Sequence, residues 1–180
     1  MALAREDIIE AALALLNEGG LEGVSTRKLA LALRVQGPAL YHHFASKQEL
    51  LGRMANRLVS RALTELDPAV SWDMWLRESS ASIRRMVMRY RDGARLLTAA
   101  WPDDDMRHIT IPTLAAPLQR SGFSTGDAHE AIVIVSSFTI GWVMNEQNES
   151  IAALMRTQMD IDEAFGRALE TIIGGLRLRL

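Results

Sequence analysis

Three helix-start signals fall within residues 25–46, and their spacing constrains the fold more than any other feature of the chain. Ser25 offers a side-chain acceptor ahead of "TRKLALAL". Pro38 lacks the N–H that the first turn of a helix leaves unpaired in any case, and Ser46 precedes a long amphipathic run. So short an interval leaves room for two short helices joined by a tight turn at Arg34 to Gly37. The first would bury Leu29, Ala30 and Leu33, and the second, "PALYHHF", spans about two turns. A longer helix follows from Lys47 to near Leu66. Two short helices across a tight turn, the second one basic, form a helix-turn-helix, the arrangement that fits the major groove of DNA.

A net charge of -2 argues against a polyanion partner only if the charge is evenly spread. It is not. Between Glu22 and Glu49 no acidic residue occurs, while Arg27, Lys28, Arg34, Lys47, His42 and His43 all lie in that window. Arg53, Arg57 and Arg61 continue the basic character at i, i+4, i+8 along the next helix. That spacing suits a solvated face as well as a DNA-facing stripe, and the acid-free window favours DNA. The small residues Gly37, Pro38 and Ala39 let the backbone approach base edges, where Pro38 and Ala39 can meet thymine methyl groups. Tyr41, His43 and Lys47 are candidate phosphate donors, Lys47 at a helix N-terminus that itself favours an anion. His42 is placed to reach either a base edge or a phosphate. Leu40 and Phe44, spaced i, i+4, read as core.

Elsewhere the periodicity is also helical. Ile8, Ala12, Leu15 and Leu16 share one face of a first helix that Gly19-Gly20 stops. Further helices are expected from Trp72 to Tyr90 behind Ser71, through Leu96, Leu97 and Trp101 to Pro102, and from Ser124 through "AIVIVSSFTIGWVM". The β-branched "IVIV" has no second strand to pair with. Pro112 and Pro117 predict a short or kinked helix between these. A last helix, "DIDEAFGRALETIIGGLRLRL", runs from acids to arginines in the order its dipole favours. The chain has 48% hydrophobic residues and no Cys, so it is globular, without disulfides or thiolate chemistry, and suited to a reducing compartment. It carries no secretion signal, and its longest apolar run, Ala131 to Met144, is too short for a bilayer span. The cytoplasm is the expected location.

No nucleophile elbow, phosphate loop or zinc motif occurs, so an enzyme is not expected. Asp103 to Asp105 and His108 read as a helix cap facing water rather than a metal site, and His129 as a first-turn surface residue. No cofactor is expected. Trp75, Ser79, Ile83, Met86, Leu97, Trp101, Phe138, Trp142 and Asn145 are the candidates for an effector pocket, apolar with a few polar contacts to which Ser137 adds. Any one of these apolar residues reads more readily as core, and three Trp in one domain tilt the group toward a cavity. The apolar runs of the 131–144 helix and the C-terminal helix exceed what one small domain needs, which predicts a four-helix seam between two copies. Gly141, Gly166, Gly174 and Gly175 would allow close contact there.

"STRKLALALRVQGPALYHHFASKQELL" resembles the DNA-binding module of the TetR family of bacterial repressors, through Thr26, Arg27, Leu29, Ala30, Leu33, Val35, Leu40, Tyr41, His43, Phe44, Lys47, Leu50 and Leu51. "YRDGARLL", "SGFS" and "FTIGWVMNEQ" resemble, more weakly, the core of that family's tetracycline-repressor branch. The resemblance implies an all-α, two-domain dimer. Residues 1–46 would form the DNA-binding domain, 47–66 a connecting helix and 67–180 an effector-binding and dimerisation domain. It also implies that Thr26, Tyr41, His43 and Lys47 hold phosphates, while Arg27 and the start of the third helix read bases. Arg34 stands where the family has Gly, and a left-handed conformation there costs about 1 kcal/mol. Gly37 and Ala39 replace operator-touching Gln and Thr, so a different operator is expected. Leu97 replaces the magnesium-binding His, and Leu63, Ser79, Ile83 and Ala100 stand at drug-ligand positions, so a tetracycline–magnesium chelate is not expected to bind in that manner.

The function expected is a ligand-responsive repressor that binds a palindromic operator as a homodimer and is released by a small apolar or amphipathic effector. Two alternatives share the first 60 residues. One is a constitutive DNA-binding protein with a filled core, and the other a regulator that answers to a partner protein.

Overall fold

The computed structural model describes residues 4–179, so Met1–Leu3 and Leu180, which the expected division includes, lie outside the described residues. Glu6 and Asp7 occupy the first turn of α1 (Arg5–Gly23), where acids complement the helix dipole. Gly20 interrupts α1 with φ 64° and ψ -169°, so the expected stop is a break followed by one more turn. Ser25 Oγ accepts from the Lys28 N–H at 3.3 Å to start α2 (Thr26–Leu33). Pro38 stands in the first turn of α3 (Gly37–Tyr41). Ser46 Oγ accepts from the Glu49 N–H at 3.1 Å to start α4 (Lys47–Leu63), and Glu49 Oε2 accepts in return from the Ala45 N–H at 2.8 Å.

Two boundaries differ from expectation. α3 stops before His42 and His43, where the His43 N–H turns back to the Leu40 carbonyl at 2.9 Å, and the Phe44 ring beyond it is buried. α4 ends at Leu63 rather than near Leu66, ahead of the turn at Asp67-Pro68.

The remaining elements are α5 (Trp72–Met88), α6 (Gly93–Ala99), a π-helical turn (Met106–Thr110) continuing into α7 (Ile111–Arg120), α8 (Thr125–Gln147), α9 (Glu149–Gln158) and α10 (Ile161–Leu176). α6 ends before Trp101, which stands outside it. The π turn absorbs Pro112, which has no N–H for the regular ladder, and is the irregularity expected between the prolines. Ser124 Oγ accepts from the Asp127 N–H at 3.1 Å and caps α8 as expected. α9 is unforeseen: Asn148 caps it through the Ile151 N–H at 3.2 Å, and only Ala152 on it is buried. Among the described residues there is no strand, and no helix is long and apolar enough to cross a membrane.

Two cores form. One packs α1, α2, α3 and the first half of α4 around Ile8, Leu16, Leu29, Leu40, Phe44, Met54 and Leu58, and takes in Leu96 of α6. The other packs α5, α7, α8 and α10 around Trp75, Leu118, Val135, Phe165 and Leu169, and takes Val59 and Leu63 from the end of α4. α4 is therefore built into both.

Candidate DNA-reading surface and effector cavity

On the reading head, the buried residues Leu29, Ala30, Leu40 and Phe44 turn the remaining faces of α2 and α3 outward. Arg27, Pro38, Tyr41, His42 and Lys47 are exposed, and Thr26, Gly37, Ala39 and His43 are half-buried beside them. Tyr41 is 60% exposed, far more than a packed aromatic ring would be. A Cβ at Gly37 would meet nothing within 4 Å, so the start of α3 presents open backbone. Arg34 does adopt the left-handed conformation, at φ 56° and ψ 39°, and closes α2 as its N–H bonds the Leu31 carbonyl at 3.1 Å. Gln36, not anticipated, is exposed at the N-cap of α3 with no side-chain capping bond.

Charge pairing separates two groups of cations. Arg27, Lys28, Arg34 and Lys47 enter no ion pair among the described residues. The arginines of α4 do. Arg53 Nη1 bonds Asp105 Oδ2 at 2.6 Å, and its Nε lies 3.4 Å from Asp103 Oδ2 without hydrogen-bond alignment. Glu10 of α1 takes Arg61 at 2.7 Å and Arg57 at 3.8 Å. The stripe expected to face a polyanion instead ties α4 to α1 and to the segment before the π turn. Asp103, expected to face water, is accordingly buried against Arg53. Asn56 of α4 adds a polar link, its Oδ1 accepting from Thr110 Oγ1 at 2.7 Å in a buried site.

A cavity of about 660 Å³ lies between α4, α5, α6, the π turn, α7 and α8. Gly52, Ala55 and Val59 of α4 form one wall. Leu76, Ser79, Ser80 and Ile83 of α5, Leu97 of α6, and Val135, Ser136, Thr139 and Ile140 of α8 form others. Trp101, 70% exposed, stands at the mouth with Arg107, His129 and Val133. His129 is exposed, as expected of a surface residue, and also borders the cavity. No carboxylate is among the lining residues, and no group of His, Asp or Glu among the described residues can hold a metal ion.

Of the nine pocket candidates, Ser79, Ile83, Leu97 and Trp101 border the cavity; Trp75, Met86, Phe138, Trp142 and Asn145 do not. Trp75 is buried, and its indole N–H is used by the Leu114 carbonyl at 3.0 Å. Met86 packs on the reading-head core, and Asn145 is exposed on α8. Phe138 and Trp142 point toward α10, with ring centroids 5.4 and 5.8 Å from Phe165. Ser136 lines the cavity from α8, one position from the expected Ser137, and Thr139 lines it one turn on. Most lining hydroxyls have spent their hydrogen: Ser79 donates to the Trp75 carbonyl at 2.6 Å, Thr139 to Val135 at 2.8 Å and Ser136 to Val133 at 3.2 Å. Ser80, buried, has no such bond.

Residues 8–54 match the model of bacterial regulatory proteins of the tetR family, and residues 66–159 that of the tetracycline repressor-like C-terminal domain. The chain is 36% identical to the class D tetracycline repressor protein of Escherichia coli, over 99% of this chain and 91% of that one. Among solved structures, a TetR variant from Acinetobacter baumannii AYE in complex with minocycline superposes with a TM-score of 0.82 at 35% identity, covering 99% of each chain. BioQ with its double-stranded DNA operator superposes at 0.75 and 28% identity, over 97% of this chain and 98% of that one.

Proposed function

This chain belongs to the tetR family of bacterial regulatory proteins, and from that premise we propose a ligand-responsive transcriptional repressor. It holds a palindromic operator as a homodimer in the cytoplasm and releases it when a small apolar or amphipathic molecule fills the cavity. The observation that carries this reading is the cavity wall made by Gly52, Ala55 and Val59. These residues belong to the helix that begins at Lys47 and is packed into the reading head, so a ligand touching them acts on the element that sets the head's position. A ligand changes DNA affinity only by preferring one of two arrangements of that element.

In this reading Thr26, Tyr41, His43 and Lys47 hold phosphates, Arg27, Gly37, Pro38 and Ala39 lie against base edges, and His42 reaches either. Residues 1–46 act as the reading head, α4 as the connector, and the rest as the effector and dimerisation domain. Ser79, Ile83, Leu97 and Trp101 touch the effector. The outer faces of α8 and α10 suit a second copy. Gly141, Gly166, Gly174 and Gly175 have nothing within 4 Å of an added Cβ, and Met144 is exposed beside them. Two heads then meet successive major grooves about 34 Å apart.

The test is binding of the full chain to DNA upstream of its own gene across a salt series, with a Tyr41→Ala, Lys47→Ala double variant alongside. Tight, salt-sensitive binding that the variant loses supports the assignment. Equal, weak binding by both removes it.

A further inference from the structure

We propose that the cavity is built for an anionic amphiphile, whose apolar body fills the interior and whose carboxylate lies at the mouth between Arg107 and His129. The proposal rests on the reading of this cavity as the effector site and adds the charge of the ligand and the place of its head.

The interior excludes a buried charge. It is lined by aliphatic side chains, and the hydroxyls of Ser79, Ser136 and Thr139 already donate to their own helices, so they offer acceptors rather than donors. Ser80 alone keeps a hydroxyl hydrogen, and one neutral donor does not compensate a desolvated carboxylate. A charged head must therefore stay where water and cations remain, at the mouth.

The lining of the mouth favours an anionic head. Arg107 and His129 both border it, and the lining contains no Asp or Glu that would prefer a cationic head. Arg107 is also unpaired. Of the acids just before the π turn, Asp103 and Asp105 are held by Arg53 of α4 at 3.4 and 2.6 Å, Asp104 is exposed, and neither Asp104 nor Arg107 enters an ion pair among the described residues. A guanidinium without a partner, at the rim of an apolar cavity, is the group that a carboxylate engages with two parallel hydrogen bonds.

The experiment titrates the full chain, below micellar concentrations, with three probes that share one ten-carbon tail: decanoate, decanol and decyltrimethylammonium. Calorimetry gives affinity and stoichiometry, and Trp fluorescence reports the mouth through Trp101. Wild type is compared with Arg107→Gln, a change at an exposed position that leaves both cores untouched. The expected result is one decanoate per chain, bound about tenfold more tightly than decanol, with the cation weakest. In Arg107→Gln decanoate falls to the level of decanol, while decanol itself is unchanged. Decanol matching decanoate in the wild type, an undiminished decanoate affinity in the variant, or no saturable decanoate binding would each overturn the proposal. Operator binding is measured separately. Selective decanoate binding that leaves the protein–DNA complex intact removes the effector reading and keeps the site chemistry, whereas DNA release by decanol and decanoate alike does the reverse.

Discussion

The division of cations into paired and unpaired sets predicts the salt dependence of DNA binding. Arg27, Lys28, Arg34 and Lys47 have no carboxylate partner among the described residues, so the charge of each is available to the duplex, at a phosphate or, for Arg27, at a base edge, while Arg53, Arg57 and Arg61 are held by Asp103, Asp105 and Glu10. Two heads on a palindrome bring about eight such cations to the duplex, which gives a slope of log affinity against log salt near -7. Between about 50 and 200 mM salt, affinity should then fall by about 10⁴-fold. Lys47→Ala removes one phosphate contact per head and should flatten the slope by about 2. Arg61→Ala, on the opposite side of the argument, should leave the slope unchanged, because its charge is already spent on Glu10 at 2.7 Å. Fluorescence anisotropy on labelled upstream DNA across the salt series measures all three slopes. If Arg61→Ala flattens the slope as much as Lys47→Ala, the pairing seen on α4 does not govern which cations meet DNA, and the reasoning fails.

Three further outcomes follow from the packing. Gly20→Ala sets a Cβ at φ +64° and 2.4 Å from Asp92 Oδ2, the atom that accepts from the Leu21 N–H, so urea unfolding should show a loss of about 1–3 kcal/mol. Gly19→Ala, whose nearest neighbour would be 3.9 Å away, should show no such loss. Thr110→Val removes the hydrogen that Asn56 Oδ1 accepts at 2.7 Å and leaves it only Ser60 at 3.3 Å, which should cost about 1–2 kcal/mol in the same assay. Stability should also fall in acid. The Ser71 hydroxyl bond, followed by Arg77 and Arg177, holds the Asp73 carboxyl well below its usual range, and Arg77 lowers Glu170. A depressed folded pKa stabilises above the unfolded value near pH 4 and loses that contribution as pH falls through the folded one. Urea midpoints from pH 7 to 3 should therefore drop less steeply in Arg77→Ala than in the wild type.

What was legible in the sequence is what local chemistry decides. Ser25, Pro38, Ser46 and Ser124 start helices where cap rules place them, and Arg34 takes the left-handed turn although it is not Gly. The α4 arginines were misread for the opposite reason. Their spacing is local, but their partners are remote: Glu10 arrives from α1, and Asp103 and Asp105 from beyond α6. A basic stripe with no acid beside it in sequence is neutralised in space, and nothing within residues 47–63 signals that. α9 was legible and overlooked: Asn148 is a cap residue, and Ile151, Leu154 and Met155 recur at i, i+3, i+4 behind it.

The cavity was expected in the right helices and on the wrong faces, and the reason lies in α8. A helix apolar on nearly every side has no face that sequence alone marks as inner, so Phe138 and Trp142 looked as eligible as Val135 and Thr139. Packing decides it: along the α8–α10 seam Phe138 stacks on Phe165 and Trp142 meets that ring edge-on, and the smaller side chains are left to border open space. Large rings fill seams and short aliphatic and hydroxyl side chains leave a void, which is why four of five misplaced candidates were the bulky ones. The void reaches α4 for the same steric reason. At Gly52 a Cβ would stand 2.5 Å from the Trp101 carbonyl, so only the missing side chain lets the loop at the cavity mouth lie directly on the helix that carries the reading head. In the proposed reading, a molecule that shifts the Trp101 backbone presses directly on α4, the helix that carries the reading head.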